Sequence, residues 1–197
     1  MLVNLLERRA EQPPSAAVLS QLRASTGRAA DLIDGVLVYT RAGNLETERV
    51  ALDVLTTEVA QDLRASFERA RATLEIGELP EVDGDPRQLR CVLQNLLVNA
   101  LKFRSEAPPR VEVSARPDSQ EWVVTVADNG LGVPADQASR IFGMFSRASK
   151  EIGGVGIALA VCRRIVEAHG GRIWVEPAAG GGSAFHFTLP RCSPANV

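Results

Sequence analysis

The sequence is poor in the residues that most often announce a mechanism. Its 197 residues contain two histidines, three cysteines, two tryptophans and one tyrosine, and aromatics make up only 5%. Cys91, Cys162 and Cys192 show no CxxC spacing, and no zinc-ligand pattern forms with His169 or His186. A Ser/His/Asp or Cys/His nucleophile arrangement is missing as well. The cysteines fall in apolar or terminal context and read as reduced thiols, which points to a cytoplasmic location. No apolar run reaches the length that spans a bilayer, and no signal peptide opens the chain, so any membrane or sensory part of a parent protein is expected outside it. A formal net charge of −2 gives no electrostatic case for nucleic acid.

What is present describes a folded domain with something smaller before it. Hydrophobic residues at 45% and charged residues at 23% fit an ordinary globular chain. The first forty residues read as helical, broken at Pro13-Pro14. From Ser15 a second helix runs toward Arg41, with a seam of Leu22, Ser25, Ala29, Leu32, Val36 and Tyr39, stepping by three and four. Ile33, Leu37 and Thr40 widen that seam, which suits a helical bundle better than a two-stranded coil. The pattern then turns to mixed α and β. Arg49 to Leu52 predicts a strand, and Asp53 an N-cap for one helix to about Ala72; Thr73 to Ile76 and Glu81-Val82 read as extended. A well-marked helix follows, with Asp85 as N-cap, Pro86 at its first position and Gln88 where a capping box wants it. Val111 to Arg116 and Trp122 to Ala127 alternate as a hairpin that turns near Pro117 and Asp118. A helix from about Gly156 to His169 and strands Arg172 to Glu176 and Ala184 to Leu189 complete the chain, giving helices on one face of a mostly antiparallel sheet.

Three stretches carry chemistry. In QNLLVNALKF, Asn95 and Asn99 lie one helical turn apart and Lys102 continues their face, while Leu96, Leu97, Val98 and Leu101 turn toward a core. Two amides and a cation suit a metal-bound polyphosphate, since Mg²⁺ takes few protein ligands beside phosphate oxygens. The alternative is a pair of surface asparagines on an amphipathic helix. In DNGLG, Asp128 can accept the exocyclic amino proton of adenine, and Gly130 and Gly132 permit close approach; the alternative is a simple Asn-Gly turn. In GGVGIALA, Gly153, Gly154 and Gly156 precede a helix whose N-terminus favours phosphate, although the spacing is neither a Walker loop nor a dinucleotide fingerprint. His169 reads as a cation complementing a helix C-terminus, His186 as a strand residue facing away from Phe185 and Phe187, and both tryptophans as packing residues.

In this order the boxes NLLVNALKF, DNGLG, IFGMFSR and GGVGIALA resemble the ATP-binding module of sensor histidine kinases, in the superfamily shared with gyrase, Hsp90 and MutL. The resemblance covers about Arg49 to Arg191 and includes the tail HGGRIWVE…GGSAFHFTLP. KFRSEAPP and RIVEAHGGRIWVE look most like phytochrome-like and related sensor kinases, and LIDGVLVYTRAG resembles the second helix of their dimerisation hairpin. The resemblance implies an α/β two-layer sandwich of the Bergerat type over residues 48–192, after a partial dimerisation hairpin over residues 1–43. It implies ATP and Mg²⁺ as ligands, with Asn99 holding the ion, Asn95 and Lys102 acting on the phosphates, and Arg147 approaching the γ-phosphate. Asp128 would read adenine, Gly130 and Gly132 line its pocket, Phe103 pack beside the nucleotide, Phe142 and Phe145 anchor a lid, and Gly154 and Gly156 close over the phosphates.

Three departures shape the functional expectation. Val155 and Ala158 stand where the family has Thr and Gly, the lid between Arg147 and Gly153 is short, and no histidine precedes His169. The phosphoacceptor of such kinases belongs in the first hairpin helix, so this chain would act on a histidine-containing hairpin elsewhere in a parent chain or in trans, with a response regulator downstream. Phosphorylation of the chain by itself is not expected, and self-association through residues 15–43 is. Alternative readings are an ATP-binding regulatory module without turnover and a serine kinase of the anti-sigma type.

Overall fold

The computed structural model describes Thr26, residues 45–146 and residues 156–191. The expected hairpin over residues 1–43, apart from Thr26, lies outside the described residues, as do Arg147, Gly153, Gly154 and Cys192.

Strand β1 (Glu48–Ala51) runs directly into helix α1 (Leu52–Asp62). The Leu52 amide donates to the Pro80 carbonyl at 3.1 Å, so the helix start is satisfied by backbone rather than by a side-chain cap. Asp53, expected as the N-cap, instead sits in the first turn and accepts from the Val54 amide at 2.8 Å. The single helix expected to about Ala72 is two helices. Leu63 (φ −89°, ψ 0°) breaks it and α2 (Arg64–Ala70) follows, closed by Arg71 in the left-handed region at φ 53°. The break keeps both Val59 and Phe67 in the core without a glycine or proline to mark it.

Next come β2 (Thr73–Ile76), β3 (Glu81–Gly84), α3 (Pro86–Lys102), β4 (Arg110–Asp118), β5 (Glu121–Asp128), α4 (Ala158–Ala168), β6 (Ile173–Pro177) and β7 (Ser183–Pro190). The five-stranded sheet has the order β2-β4-β5-β7-β6, with β2 parallel to β4 and the other neighbours antiparallel. That parallel pair requires a crossover, which β3 and α3 supply. β1 and β3 form a separate antiparallel pair, joined to the end of β7 by a bridge between Val82 and Arg191. The β4–β5 turn falls on Ser119 and Gln120, because Pro117 stays in the ladder opposite Trp122. It is tolerated there because β2 pairs only with residues 110–113, leaving that edge of β4 open.

One face of the sheet carries the core. Val111, Val113, Val124, Val126, Phe185, Phe187 and Leu189 meet Leu89, Val92, Leu93, Leu96 and Leu97 of α3 and Ile165 and Val166 of α4. Each such leucine contributes roughly 1.5–3 kcal/mol by leaving water. The apolar positions of α3 thus consume one side of that helix and leave the other for polar work. On the opposite sheet face, Ser114, Thr125, His186 and Trp174 stand in register across four strands.

Candidate functional site

The helix that carries the two asparagines is anchored at its first residue. Asp85 is its N-cap, with Oδ1 accepting from the amides of Arg87 at 3.0 Å and Gln88 at 3.2 Å, and Pro86 begins the first turn. The expected capping box is not reciprocal. Gln88 Nε2 donates to Asp85 Oδ2 at 3.3 Å, because the Asp85 amide already donates to His169 Nε2 at 3.0 Å. Oδ2 also accepts from the Glu46 amide at 3.2 Å, tying the segment before β1 to the start of α3.

Further along, the two amides part company. Asn95 Nδ2 donates to Cys91 Sγ at 3.5 Å and also reaches the Cys162 thiol on α4, so this side chain lies in the seam between the two helices. Burial pushes both thiols up from their ordinary value, which keeps them protonated and inert. The Asn99 side chain makes no hydrogen bond among the described residues and is half-buried. Lys102 ends the helix exposed, its Nζ 5.3 Å from the centroid of the Phe103 ring.

Phe103 connects this helix to the acidic turn. Its carbonyl accepts from the Leu131 amide at 2.9 Å, and a Cβ at Gly130 would stand 2.4 Å from the same oxygen. Gly130 is therefore required for α3 and the turn to meet. Within the turn, Asp128 Oδ1 accepts from the Gly130 amide at 2.8 Å and from the Ser183 amide at 3.3 Å. Among the described residues Oδ2 accepts nothing. Burial raises the Asp128 carboxyl above its ordinary value, against the two backbone amides, which pull it down.

Two contributors to this pocket were not singled out from sequence. Gly182 lies at φ 85°, and a Cβ there would come within 2.0 Å of the Asp128 carbonyl oxygen, so the β6–β7 loop closes directly onto the turn. Gly132, at φ 76°, faces the Gly182 carbonyl from the other side. The only sequence signal was the run Gly180 to Gly182 between two strands, and nothing local says where that loop lands. Asn129 is the second. Its Oδ1 accepts from the Arg110 amide at 2.7 Å and its Nδ2 donates to the Pro108 carbonyl at 3.1 Å, fastening the loop after α3 to the turn.

The two phenylalanines expected to anchor a lid are placed differently from one another. Phe142 is buried, edge-on to Phe185 of β7 at 6.3 Å and 81°. Phe145 is 62% exposed and in the left-handed region at φ 62°. Gly156, at φ 73°, leads toward α4, and a Cβ on it would stand 2.5 Å from the Ser146 carbonyl oxygen. Because the end of α4 touches the start of α3, the two helices run antiparallel. The start of α4 therefore faces the Asn99–Lys102 end of α3. A helix N-terminus, an open amide, a cation and a half-used carboxylate thus border one region.

Neither histidine belongs to it. His169 is 8% exposed rather than a cation at a helix end: Nε2 accepts from the Asp85 amide, so Nδ1 carries the proton toward the Ile165 carbonyl at 2.8 Å. His186 stacks on Trp174 at 5.1 Å, with Nδ1 2.9 Å from Thr125 Oγ1 and Nε2 3.4 Å from Glu176. Burial lowers its pKa and outweighs the exposed Glu176 carboxylate, which pulls the other way.

Residues 84–193 match the family of histidine kinase-, DNA gyrase B-, and HSP90-like ATPases, which is more than half of the chain. The chain belongs to this family. Within it, the relatives place it with the catalytic ATP-binding domains of sensor histidine kinases. Cyanobacterial phytochrome A of Nostoc sp. is 39% identical over 166 residues, covering 81% of this chain and 21% of that protein. The adaptive-response sensory kinase SasA of Thermosynechococcus vestitus is 38% identical over 200 residues, covering 95% of this chain and 52% of that protein. The structure of full-length ShkA in complex with AMPPNP superposes with a TM-score of 0.76 at 29% identity, covering 93% of this chain and 40% of that one. The chain therefore spans between a fifth and a half of these relatives.

Proposed function

We propose that this chain binds Mg·ATP at the α3–Asp128 region and transfers its γ-phosphoryl group to a histidine on a helical hairpin outside these 197 residues. The observation that carries the reading is the Asp128 carboxylate. One oxygen is held by two backbone amides and the other is left for a donor, in a pocket whose closeness only glycine permits at Gly130 and Gly182. Adenine offers such a donor, its exocyclic amino group. The crystallised complex of ShkA with an ATP analogue supports the same ligand here.

The residues also fit the ion. Among the described residues Asn99 presents an amide oxygen with no partner and no three His, Cys, Asp or Glu gather, so the cation would be held mainly by phosphate and water. When bound it offsets charge on the transferring group. Lys102 adds a cation at the same helix end, Phe103 packs beside the base, and Asn95 holds the α3–α4 seam next to the phosphates. Arg147 is assigned to the γ-phosphate, Gly154 and Gly156 to closure over the phosphate chain, and Phe142 and Phe145 to the lid. The chemistry is positioning and electrostatics rather than a covalent intermediate.

Residues 48–192 form the catalytic unit in this reading, residues 1–43 associate with a second copy or a partner hairpin, and the setting is cytoplasmic with a response regulator as the final acceptor. A second reading, binding without turnover, is favoured by Val155 and Ala158 where such kinases have Thr and Gly beside the phosphates. Mixing the chain with a histidine-containing kinase hairpin and γ-labelled ATP separates the two. Acid-labile, base-stable label on the hairpin and none on this chain is the expected result. Tight ATP binding with no label on either component would establish the non-catalytic reading instead.

A further inference from the structure

His169 is a buried, hydrogen-bonded imidazole that the phosphoryl chemistry leaves unused. We propose that it is a positioning residue that fixes the separation of α3 and α4 at the nucleotide, and this rests on the nucleotide reading above. It caps the C-terminus of α4 and accepts a hydrogen bond from the backbone amide of Asp85, the N-cap of α3, across 84 residues of sequence. The fit around it is tight. A Cβ on Gly84 would stand 3.0 Å from His169 Cδ2 and 2.8 Å from Leu89 Cδ1, so the strand leading into α3 presses against the ring.

The two helices are antiparallel, joined by this bond at one end and carrying the candidate ligand groups toward the other. At 1.5 Å per residue, Asn95 and Asn99 lie about 15 and 21 Å along α3 from Asp85. A small change of angle at the joined end becomes a displacement at the far end, and about 1 Å of misplacement can cost about a hundredfold in rate. Between the ends, Asn95 Nδ2 contacts Cys91 Sγ within α3 at 3.5 Å and reaches the Cys162 thiol across the seam, both weak sulfur acceptors. Among the described residues the bond to Asp85 is therefore the stronger polar tie between the helices. Asp85 in turn holds the Glu46 amide, so the segment entering β1 is seated on the same joint.

Two substitutions divide the bonds of the imidazole. His169→Gln places an amide oxygen near the position of Nε2 and keeps an acceptor for the Asp85 amide, losing the bond to Ile165. His169→Asn places an amide nitrogen near Nδ1 and keeps the Ile165 bond, leaving the Asp85 amide without an acceptor. His169→Asn orphans the buried Asp85 N–H, whereas in His169→Gln the Ile165 carbonyl keeps its bond from the backbone amide at position 169, so a purely structural role predicts a lower melting temperature for Asn and the same nucleotide affinity per folded molecule in both. Measured per folded molecule at a temperature where both variants are folded, binding of fluorescent mant-ATP with Mg²⁺ is expected to split: within about twofold of wild type for Gln, and about tenfold or more weaker for Asn. Equal affinities in the two variants would overturn the proposal. If either fails to fold, amide exchange in the wild-type chain decides: saturating Mg·ATP slows exchange at Asp85 about threefold or more by reciprocity of coupling, and an unchanged rate overturns it. A wild-type chain that does not bind mant-ATP defeats the nucleotide reading itself, whereas equal variants beside a binding wild type defeat only the role of His169.

Discussion

Two aspartates stand at opposite ends of the site-bearing elements, and they are used in opposite ways. Asp85, 4% exposed, spends both oxygens on the protein: two amides of the first helical turn on one, the Glu46 amide and Gln88 on the other. Asp128 spends one oxygen on two backbone amides and keeps the second open. A carboxylate saturated by its own chain is a fastening, whereas one left half-satisfied in a partly buried pocket carries a desolvation cost that a ligand can offset. The sequence marks Asp85 as a cap and leaves Asp128 open between a ligand group and a plain turn, and the hydrogen bonds of each show the difference.

Removing the fastening should give the largest effect. Asp85→Ala loses the helix cap and strands the Glu46 amide, costing about 2–4 kcal/mol in urea unfolding. The backbone bond to His169 survives, so the folded fraction should bind nucleotide as before. Weaker binding per folded molecule would erase the contrast between the two carboxylates.

Asp128→Asn tests the other side. The amide oxygen can still accept from Gly130 and Ser183, yet no anion faces the ligand. ATP affinity should fall about tenfold or more, the value of a hydrogen bond to a charged acceptor at about 1.5–3 kcal/mol, while GTP binding is unchanged. Stability should move the opposite way. Because burial raises the folded carboxyl above its unfolded value, the contribution of Asp128 is present at low pH and is lost as pH rises through the folded pKa. The variant should therefore melt at or above wild type at neutral pH, with the difference closing toward pH 4. A lower melting temperature at pH 7 would make Asp128 a second fastening.

Much of the architecture was legible because its cause is local. The Asp85-Pro86 start, the amphipathic face of α3 and the alternation of β4 and β5 are written within a few residues of where they act. The break at Leu63 was not, since neither glycine nor proline marks it, and only the structure shows Phe67 buried beyond it. The parallel partnership of β2 with β4 was hidden for the same kind of reason, and so was His169, whose bond to Asp85 depends on how two helices pack. At the site, the turn Asp128 to Gly132 could be read directly. Gly182 and Ser183 could not, because their place follows from the register of β5 against β7.

A smaller expected effect sharpens the comparison along α3. Asn99→Ala should weaken Mg·ATP binding about tenfold or less and leave binding in EDTA unchanged, since its amide has no partner among the described residues to lose. The helix should hold, because Ala is the better helix former. Equal losses with and without Mg²⁺ would place Asn99 among the fastenings. The smallest concerns the far face of the sheet. Burial depresses the pKa of His186, so its contribution to stability is full above its unfolded value near 6.5 and is lost as pH falls through the folded one. His186→Gln should flatten the melting temperature between about pH 7 and pH 5 by a few degrees without touching nucleotide binding.

The contact of Gly182 with the Asp128 carbonyl also bears on recombination between relatives. The Asp128 carboxylate and the loop that seats it come from stretches 54 residues apart, on either side of α4, since Asp128 and Gly182 belong to β5 and the β6–β7 connection. A chimaera spliced anywhere between them takes its turn from one parent and its loop from the other. Such hybrids should succeed only where both parents keep glycine at this place and the same β6–β7 loop length. Crossovers before β4 or after β7 carry no such restriction, which makes them the natural seams for exchanging sensors or tails around an intact pocket.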